Sequence, residues 1–415
     1  MLKKIICCCD HTKINDNLTA EINAPRDGEN NVLIFLNPNS GSGKSLNNFN
    51  SHLLPALKKS NINFELIITE GKNHCLEIAK NKKNLHNYKA VIIMSGDGLI
   101  FEWVNGVCQR NDKNEILNRL PIGIVPTGSG NGLLSSIFYA NNLSLNKKGF
   151  QKQAVEIVSS PKAVSSYVNL MHVETEHNHC MAFLSIGWGL LANIDIDSER
   201  WRRTLGSNRF FFESLIKIVK IPSYKGKLWY LRRSSKANYQ SSNDIKKPVY
   251  LKEDNYENVD SQTDYEDEIH QKINDLKNYY INKNIPSIHE ELPESWNLID
   301  DDFVFIYAVT ISHISRDGFF MPIAKLDDPN IYLTYCLHKD LPSRKAIVNF
   351  LMDIEHGKHH NHSFVNTIKV DSFRFESKSN ECPIVVDGEK MSENCIQATS
   401  TELKMCVISN QGDIC

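Results

Sequence analysis

The sequence predicts an α/β domain built on a parallel sheet, followed by a mostly antiparallel β-sandwich domain. Three observations support this prediction. Up to about residue 155, short apolar runs alternate with segments whose apolar residues recur at helical spacing, as in β-α-β units. Several of these runs end in loops rich in glycine, serine and asparagine. Beyond that point, short segments alternate apolar and polar residues, which is typical of antiparallel strands with one covered face.

The clearest buried strand is the apolar run Val91–Met94, which leads into Ser95-Gly96-Asp97-Gly98. Ile100, Val104 and Val107 then recur at helical spacing. A strand, a tight turn and a helix in this order place the turn at the carboxyl edge of the sheet, over a helix N-terminus. Open α/β sheets bind their ligands there. The acid in the turn is therefore either a carboxylate that faces a ligand or a helix cap.

The first predicted strand, Val32–Leu36, runs into the glycine-rich stretch Asn37-Pro38-Asn39-Ser40-Gly41-Ser42-Gly43-Lys44-Ser45. Its last three residues resemble the end of a P-loop. That motif needs a glycine where Pro38 stands, so the sequence excludes it. What remains is a turn whose backbone N–H groups, together with Lys44, are available to bind an anion.

Two further predicted strands are Phe64–Thr69 and Ile122–Val125. The first leads into Thr69-Glu70-Gly71-Lys72-Asn73, and the second into Pro126-Thr127-Gly128-Ser129-Gly130-Asn131-Gly132. The loops after the first, third and fourth strands are rich in Gly, Ser and Asn, and they should open on the same edge of the sheet. Three converging loops of this kind predict a phosphate-binding cradle.

The second half predicts β structure with one long interruption. The alternating segments are Val164–Leu170, Cys180–Ile186, Lys227–Leu231, Phe303–Val309 and Ile331–Cys336. Residues 234–295 are charged, poor in apolar pattern and predicted to be a flexible insertion with a short helix near Ile269 to Tyr280. The predicted organisation is a disordered tail over residues 1–30, an α/β domain over 31–155 and a β-rich domain over 156–415.

Composition limits the functional classes. The 415 residues include 47 Lys and Arg against 49 Asp and Glu, so the charge balance does not favour nucleic acid as a partner. Eleven cysteines without a C-x-x-C motif predict free thiols rather than a zinc site. The longest apolar stretches are too short to span a bilayer, so a cytoplasmic protein, soluble or peripherally membrane-associated, is expected.

The N-terminus carries one open hypothesis. Leu2 stands where N-myristoylation requires glycine, which excludes that modification. Cys7, Cys8 and Cys9 lie beside two lysines, and they are either S-palmitoylated or incidental thiols of a disordered tail.

Together, Asn37-Pro38, Ser95-Gly96-Asp97-Gly98 and residues 126–131 resemble the diacylglycerol-kinase-type catalytic fold. Further residues, most of them in the second half, are similar to the sphingosine kinases in particular. The residues that carry this similarity are Asn73-His74, Trp188-Gly189, Ile194 to Glu199, Arg202-Arg203, Arg209-Phe210 and Val386-Asp387-Gly388-Glu389. The resemblance covers about residues 31–232 and 296–407, and it implies a two-domain lipid kinase that uses ATP and Mg²⁺.

The resemblance also implies the phosphorylation of the primary hydroxyl of sphingosine, with Asp97 as general base. The residues implied in nucleotide binding are Asn37, Asn39, Thr69, Glu70, Gly71, Lys72, Asn73, Glu102, Gly128, Ser129, Gly130, Arg202, Arg209, Asp387, Gly388 and Glu389. Asp387 is the implied Mg²⁺ ligand. Asn39 departs from the family, which more often has a basic residue there, and Lys44 is the candidate to supply the missing charge.

The substrate side of the site is expected to comprise Ser95, Gly96, Asp97, Gly98 and Asp195. The Asp195 carboxylate can pair with the ammonium group of a sphingoid base and accept a hydrogen bond from a hydroxyl. Its alternative is a surface acid in the acidic run that ends at Glu199. The apolar candidates for the lipid tail, each equally suited to a plain core position, are Phe183, Leu190, Leu191, Phe303, Met321 and Leu333.

Several alternatives stay open. Residues 210–221 form a basic, strongly apolar helix that either packs on the β domain or docks on a membrane surface or calmodulin. His356, His359, His360 and His362 are interpreted as a solvated loop rather than a metal site. A homodimer is a candidate assembly. The competing functions are a diacylglycerol or ceramide kinase and a catalytically silent lipid-binding scaffold.

Overall fold

The computed structural model describes residues 31–201, 204, 209–219, 221–233, 247–248, 274–378 and 382–411. The predicted N-terminal tail with Cys7, Cys8 and Cys9, the residue Arg202 and most of the predicted insertion therefore lie outside the described residues.

The N-terminal half contains a parallel sheet flanked by helices. Its strands are β1 (Asn31–Leu36), β2 (Asn63–Ile68), β3 (Ala90–Ser95) and β4 (Ile122–Pro126). Its helices are α1 (Ser45–Asn48), which continues through a π-helical turn (Phe49–Leu53) into α2 (Leu54–Lys59), then α3 (His74–Asn81), α4 (Asp97–Cys108), α5 (Lys113–Arg119), α6 (Gly132–Ala140) and α7 (Lys147–Val158).

The strand order β2-β1-β3-β4 puts a topological switch point between β1 and β3. All six residues of β3 are buried, as an apolar strand covered on both faces should be. The crevice that ligands occupy in open α/β sheets lies at such a switch point, beyond the carboxyl ends of the strands. The prediction of a parallel sheet with converging loops is confirmed.

The C-terminal half is mostly antiparallel. Its strands are β5 (Val164–Glu174), β6 (His179–Ala182), β7 (Ser185–Gly189), β8 (Tyr224–Arg232), β9 (Lys247–Pro248), β10 (Asn297–Val309), β11 (His313–Ser315), β12 (Gly318–Phe319), β13 (Ile331–Leu337), β14 (Asn366–Ser377), β15 (Val385–Val386), β16 (Glu389–Lys390) and β17 (Cys395–Asn410). Its helices are α8 (Leu190–Ser198), α9 (Arg209–Ile218) and α10 (Arg344–Asp353). Short 3₁₀ turns follow α8 at Glu199–Trp201 and α10 at Ile354–His356 and His359–Asn361.

Strand β8 pairs with both β10 and β14, while β13 lies between the other edges of those two strands, so these four strands close into a ring. The long C-terminal strand β17 pairs with β14 and β5 and then runs parallel to β4, at Val407 and Ile122. A single mixed sheet therefore continues from the α/β half into the β-rich half.

Two local features differ from the sequence-based expectation. The apolar run Cys180–Ile186 forms two strands, because the backbone N–H groups of Phe183 and Leu184 bond the carboxylate of Asp387 instead of a neighbouring strand. Residues 274–295 belong to the predicted flexible insertion, but Tyr280 from this segment is 1% exposed and bridges to Thr401 of β17. This segment packs on the sheet because it carries apolar anchors.

Candidate active site

The three glycine-rich loops of the parallel sheet pack against one another at its carboxyl edge. A Cβ atom on Gly128 would lie 2.6 Å from the Cα of Gly96, so two of the loops approach too closely for any side chain at that position. A Cβ on Gly41, whose φ is +57°, would lie 2.1 Å from the carbonyl oxygen of Thr127. Only glycine permits this convergence, and it leaves backbone groups facing a shared crevice.

Asp97 begins α4 and also caps a second helix. Its Oδ2 accepts a hydrogen bond from the N–H of Gly132 at 2.8 Å, and its Oδ1 accepts one from Leu133 at 3.2 Å. The carboxylate thus lies at the N-termini of both α4 and α6, where the helix dipoles favour negative charge. Burial raises the pKa of Asp97, and these backbone N–H groups oppose the rise.

Asp387 reaches the same crevice from the other half of the chain. It occupies the tight turn between β15 and β16 with φ +48°, followed by Gly388 with φ +86°. Its carboxylate accepts N–H hydrogen bonds from Phe183, Leu184 and Ser185 at 2.9, 3.0 and 2.8 Å. Burial, reinforced by the charge of Asp97, raises the pKa of Asp387 to about 7 against the effect of these donors.

Glu102 supports the loop that follows β2. One of its carboxylate oxygens accepts a hydrogen bond from the N–H of Cys75 at 3.2 Å, at the start of α3. Burial raises the pKa of Glu102, while backbone N–H groups of Asn73, Cys75 and Leu76 lower it. Glu102 therefore holds the loop in place by capping a helix. Helix α3 can lie this close to α4 because a Cβ on Gly106 would lie 2.4 Å from the carbonyl oxygen of Leu76.

One cavity of about 1100 Å³ joins these groups. The predicted residues that line it are Asn37, Asn39, Thr69, Gly71, Lys72, Ser95, Gly96, Asp97, Gly98, Glu102, Gly128, Ser129, Gly130, Asp195, Asp387, Gly388 and Glu389. Glu70 and Asn73 flank it: the Glu70 N–H bonds Nδ1 of His74 at 2.9 Å, and Asn73 precedes α3 in the left-handed conformation. Lys44 is exposed and does not line the cavity.

Two arginines predicted to bind the nucleotide cannot be placed at the cavity by their side chains. Arg202 lies outside the described residues, and Arg209 is described only as the first residue of the α9 backbone. Their proposed phosphate contacts therefore stay predictions.

The cavity continues from Asp195 into an apolar arm between α8, α9 and α10. This arm is lined by Leu191, Ile194, Leu215, Ile218, Val348, Leu351, Met352 and Ile354. Of the six apolar candidates from the sequence, Leu191 lines the cavity. The other five are buried in the hydrophobic cores: Phe183, Leu190, Phe303, Met321 and Leu333.

Sequence reasoning missed the polar cavity residues Ser185, Tyr307, Arg316 and Asp317. The first two belong to neighbouring strands, β7 and β10, and the latter two to the β11–β12 hairpin. The N–H of Arg316 bonds the carbonyl oxygen of Gly130 at 3.2 Å, so this hairpin packs on a glycine-rich loop. No spacing in the sequence links these residues, since the pairing of β7 with β10 and the packing of the hairpin on the Gly130 loop both join distant segments.

The interpretation of residues 356–362 as a solvated loop is wrong for His359. Its side chain is fully buried between the rings of Phe320 and Phe350, because the 3₁₀ turn after α10 folds back onto the core. No group of three or more His, Cys, Asp or Glu side chains suited to a metal ion occurs among the residues that the structure describes. The described cysteines are free thiols, as predicted.

Comparison with known proteins identifies the family. The Diacylglycerol kinase catalytic domain matches residues 31–163. Sphingosine kinase 1 of Caenorhabditis elegans is 40% identical over 387 residues, an alignment that covers 92% of this chain and 81% of the relative. This chain belongs to the sphingosine kinase family. Sphingosine kinase 1 of Homo sapiens is 28% identical over 371 residues, covering 88% of this chain and 87% of that protein.

Solved structures agree with this family assignment at the level of the fold. A Bacillus anthracis structure, described provisionally as a diacylglycerol kinase, superposes with a TM-score of 0.57 at 16% identity. The superposition covers 93% of this chain and 99% of the chain in that structure. The protein is thus a lipid kinase of the diacylglycerol-kinase type, and its family implies ATP as the phosphate donor. In the described part of the chain, no helix combines the length and apolar character needed to cross a membrane.

Proposed function

We propose that this lipid kinase transfers the γ-phosphate of ATP to the primary hydroxyl of sphingosine or a related sphingoid base. The observation that carries the proposal is the lining of one cavity. The glycine-rich loops and the half-buried Asp97 line it at the edge of the parallel sheet, and Asp195 of α8 lines it together with apolar side chains of α8, α9 and α10. A sphingoid base has the matching groups: a reactive hydroxyl, an ammonium and a hydrocarbon chain.

Asp97 is the proposed general base. An alkyl hydroxyl is a poor nucleophile, and phosphoryl transfer depends on positioning and on stabilising charge. The Asp97 carboxylate accepts the hydroxyl proton, the hydroxyl oxygen bonds the γ-phosphorus and the bridging oxygen leaves with ADP. The rise in the pKa of Asp97 caused by burial makes the carboxylate a better proton acceptor than an exposed aspartate.

The glycine-rich loops are proposed to hold the nucleotide phosphates through backbone N–H groups, with Asn37 and Asn39 beside them. The Asn37 Oδ1 accepts a hydrogen bond from the Asn39 N–H at 3.0 Å, which fixes the first loop. Thr69 to Asn73 and Glu102 border the adenosine side. Arg202 and Arg209 are proposed to neutralise the phosphates from the second half of the chain.

Asp387 is proposed as the protein ligand of Mg²⁺. Its carboxylate offers about four lone-pair sites. Three of them accept the N–H groups of Phe183, Leu184 and Ser185, which leaves one site on Oδ2. A single carboxylate suits an ion that takes its other oxygens from ATP and water. When bound, the ion would neutralise charge on the phosphates. The three N–H bonds hold the Asp387 carboxylate in one orientation.

Peripheral membrane association is proposed from the exposed apolar residues next to the apolar arm of the cavity. Phe212 and Ile216 of α9 are each 43% exposed, and Val219, directly after the helix, is 69% exposed. Leu215 and Ile218 of the same helix line the cavity. A substrate that resides in a bilayer can enter where such a surface meets the membrane. The packing of α9 against α8 and α10 is compatible with this role.

The experiment that tests the function measures transfer of labelled γ-phosphate from Mg-ATP to sphingosine, diacylglycerol and ceramide in parallel, for the wild type and Asp195→Asn. The expected result is labelling of sphingosine alone, lost in the variant. Asp302→Asn, a half-buried acid of β10 outside the cavity, serves as the matched control. Labelling of diacylglycerol or ceramide would overturn the substrate assignment. No labelling of any lipid would favour a catalytically silent lipid-binding scaffold.

A further inference from the structure

Tyr307 brings a phenol group into a part of the cavity that the proposed function leaves without a role. It belongs to β10, the strand that pairs with β7 on one side and β13 on the other. Its ring lies in the core under α8 and α10, packed against Phe320 with the ring centroids 5.0 Å apart. The side chain is half-buried because it also lines the cavity.

The neighbouring strand is shaped around this ring. Gly187 of β7 is paired directly with Tyr307, and a Cβ atom there would lie 2.7 Å from the tyrosine Cε2. Any other residue at 187 would displace the ring from its place. The ring is therefore held by Phe320 on one side and by the bare backbone of β7 on another, which fixes the direction of the hydroxyl.

The hydroxyl lies in the polar part of the cavity wall. It donates a hydrogen bond to Oγ of Ser185 at 3.2 Å, and Ser185 also lines the cavity. Ser185 is in turn the residue whose N–H bonds Asp387. Burial raises the pKa of Tyr307, and the charges of Asp195 and Asp387 add to the rise. The phenol thus stays protonated, and its lone pairs and rotatable O–H can form hydrogen bonds with a ligand.

A sphingoid base presents one polar group whose hydrogen bonds the proposed assignments do not complete. Asp97 takes the primary hydroxyl, and Asp195 pairs with the ammonium and can accept a hydrogen bond from a hydroxyl. Because a carboxylate only accepts, the oxygen of the secondary hydroxyl on the third carbon still lacks a donor. That hydroxyl enters next to the ammonium, at the boundary between the polar and apolar parts of the cavity, and burying it without a partner would cost affinity.

We infer that Tyr307 is a specificity-determining residue that hydrogen-bonds the secondary hydroxyl of the sphingoid base. The inference rests on the proposed function, since it deepens the assignment of the same cavity. Tyr307 then distinguishes a base with two hydroxyls from an amphiphilic amine with one, because a site built to hydrogen-bond a hydroxyl discriminates strongly against an analogue that lacks it.

The test compares two saturated substrates, sphinganine and 3-deoxysphinganine, which differ only in the secondary hydroxyl. Each is assayed in detergent micelles with the wild type, Tyr307→Phe and Tyr335→Phe, whose hydroxyl lies outside the cavity. We expect Tyr307→Phe to lower kcat/KM for sphinganine about tenfold and to leave 3-deoxysphinganine within about twofold, the effect of one lost hydrogen bond. Tyr335→Phe should leave both values unchanged.

A loss of equal size on both substrates would show that Tyr307 acts only by shaping the cavity, and no loss on either would show that another group binds the hydroxyl. Both outcomes overturn the inference while the proposed function stands. If the wild type phosphorylates neither base, the proposed function itself fails, before any variant is compared. Thermal unfolding of each variant checks that the phenyl ring still packs.

Discussion

The ammonium of Lys72 lies 2.7 Å from a carboxylate oxygen of Glu389, and this ion pair joins the two halves of the molecule across the cavity. Lys72 comes from the loop after β2, and Glu389 from the β15–β16 hairpin. The other carboxylate oxygen, Oε1 of Glu389, would lie 3.5 Å from a Cβ on Gly98, so the pair covers the first turn of α4. The glutamate raises the pKa of Lys72 through its hydrogen bond and its charge.

Breaking this pair should affect nucleotide binding more than stability. Lys72 is 71% exposed, and exposed ion pairs contribute roughly 0–1 kcal/mol, so Lys72→Met should change the free energy of unfolding by less than about 1 kcal/mol. The carboxylate of Glu389 is then left unpaired in the proposed nucleotide site. We expect a several-fold rise in KM for ATP, measured at saturating lipid.

A double variant tests whether the unpaired charge of Glu389 causes the rise in KM for ATP. Adding Glu389→Gln to Lys72→Met removes the unpaired charge and should restore part of the affinity for ATP, a coupling that independent sites would not show. Lys378→Met is the matched control, since Lys378 pairs with Asp300 at 2.6 Å outside the cavity. Equal KM values for the wild type and Lys72→Met would contradict the prediction.

Asp97→Asn should separate binding from chemistry. The side chain keeps its size, but the amide cannot accept the hydroxyl proton, so kcat should fall by about 10²–10⁴. The Kd for ATP should change by much less, because the backbone of the glycine-rich loops binds the phosphates. Single-turnover phosphorylation and equilibrium ATP binding give the two values. A kcat within tenfold of the wild type would exclude Asp97 as the general base.

The pH dependence of the reaction provides a second check on Asp97. Because burial raises the pKa of this carboxyl, its base form is lost at a higher pH than for an exposed aspartate. We therefore expect kcat/KM to fall as the pH decreases through that raised pKa. The residual activity of Asp97→Asn should not show this fall. If it does, the fall in kcat/KM at low pH belongs to a group other than Asp97.

The sequence was sufficient to predict the features that depend on a local pattern. Val91–Met94 is a continuous apolar run followed by glycines, so both the buried strand and the turn after it could be predicted. The same reasoning located the loop that contains Gly128. The convergence of these loops then follows from the parallel sheet, because the carboxyl ends of its strands meet at one edge.

The sequence was insufficient where a contact joins distant segments. The break between β6 and β7 depends on Asp387, about two hundred residues further along the chain. The position of Tyr307 in the cavity depends on its pairing with Gly187, and neither residue stands in a recognisable motif. The burial of His359 depends on aromatic residues of two other elements. Such contacts are set by strand order and packing, which periodicity does not encode.

His359 should make the protein sensitive to acid. Burial lowers its pKa to about 3, well below the ordinary value near 6.5. Below pH 6.5 the unfolded chain binds a proton that the folded chain does not, so stability is lost as the pH falls. Neither ring nitrogen makes a well-formed hydrogen bond among the described residues. His359→Phe should therefore be nearly neutral at pH 7.5 and stabilising by about 2 kcal/mol at pH 5. Urea unfolding at both pH values measures this difference. An equal change in the free energy of unfolding at pH 7.5 and at pH 5 would contradict the prediction.

The apolar surface of α9 should determine binding to membranes without determining the chemistry. Ile216 and Val219 are exposed and do not line the cavity, so Ile216→Glu/Val219→Glu replaces apolar contacts with charges at the proposed membrane face. We expect binding to phospholipid vesicles to weaken about tenfold or more, since each apolar side chain contributes roughly 1.5–3 kcal/mol when fully buried. Activity on a sphingoid base in detergent micelles should stay within about twofold. Leu298→Glu is the control, because Leu298 is 53% exposed on β10 away from this face. Equal vesicle binding by the wild type and the double variant, or equal weakening by Leu298→Glu, would show that α9 is not the docking surface.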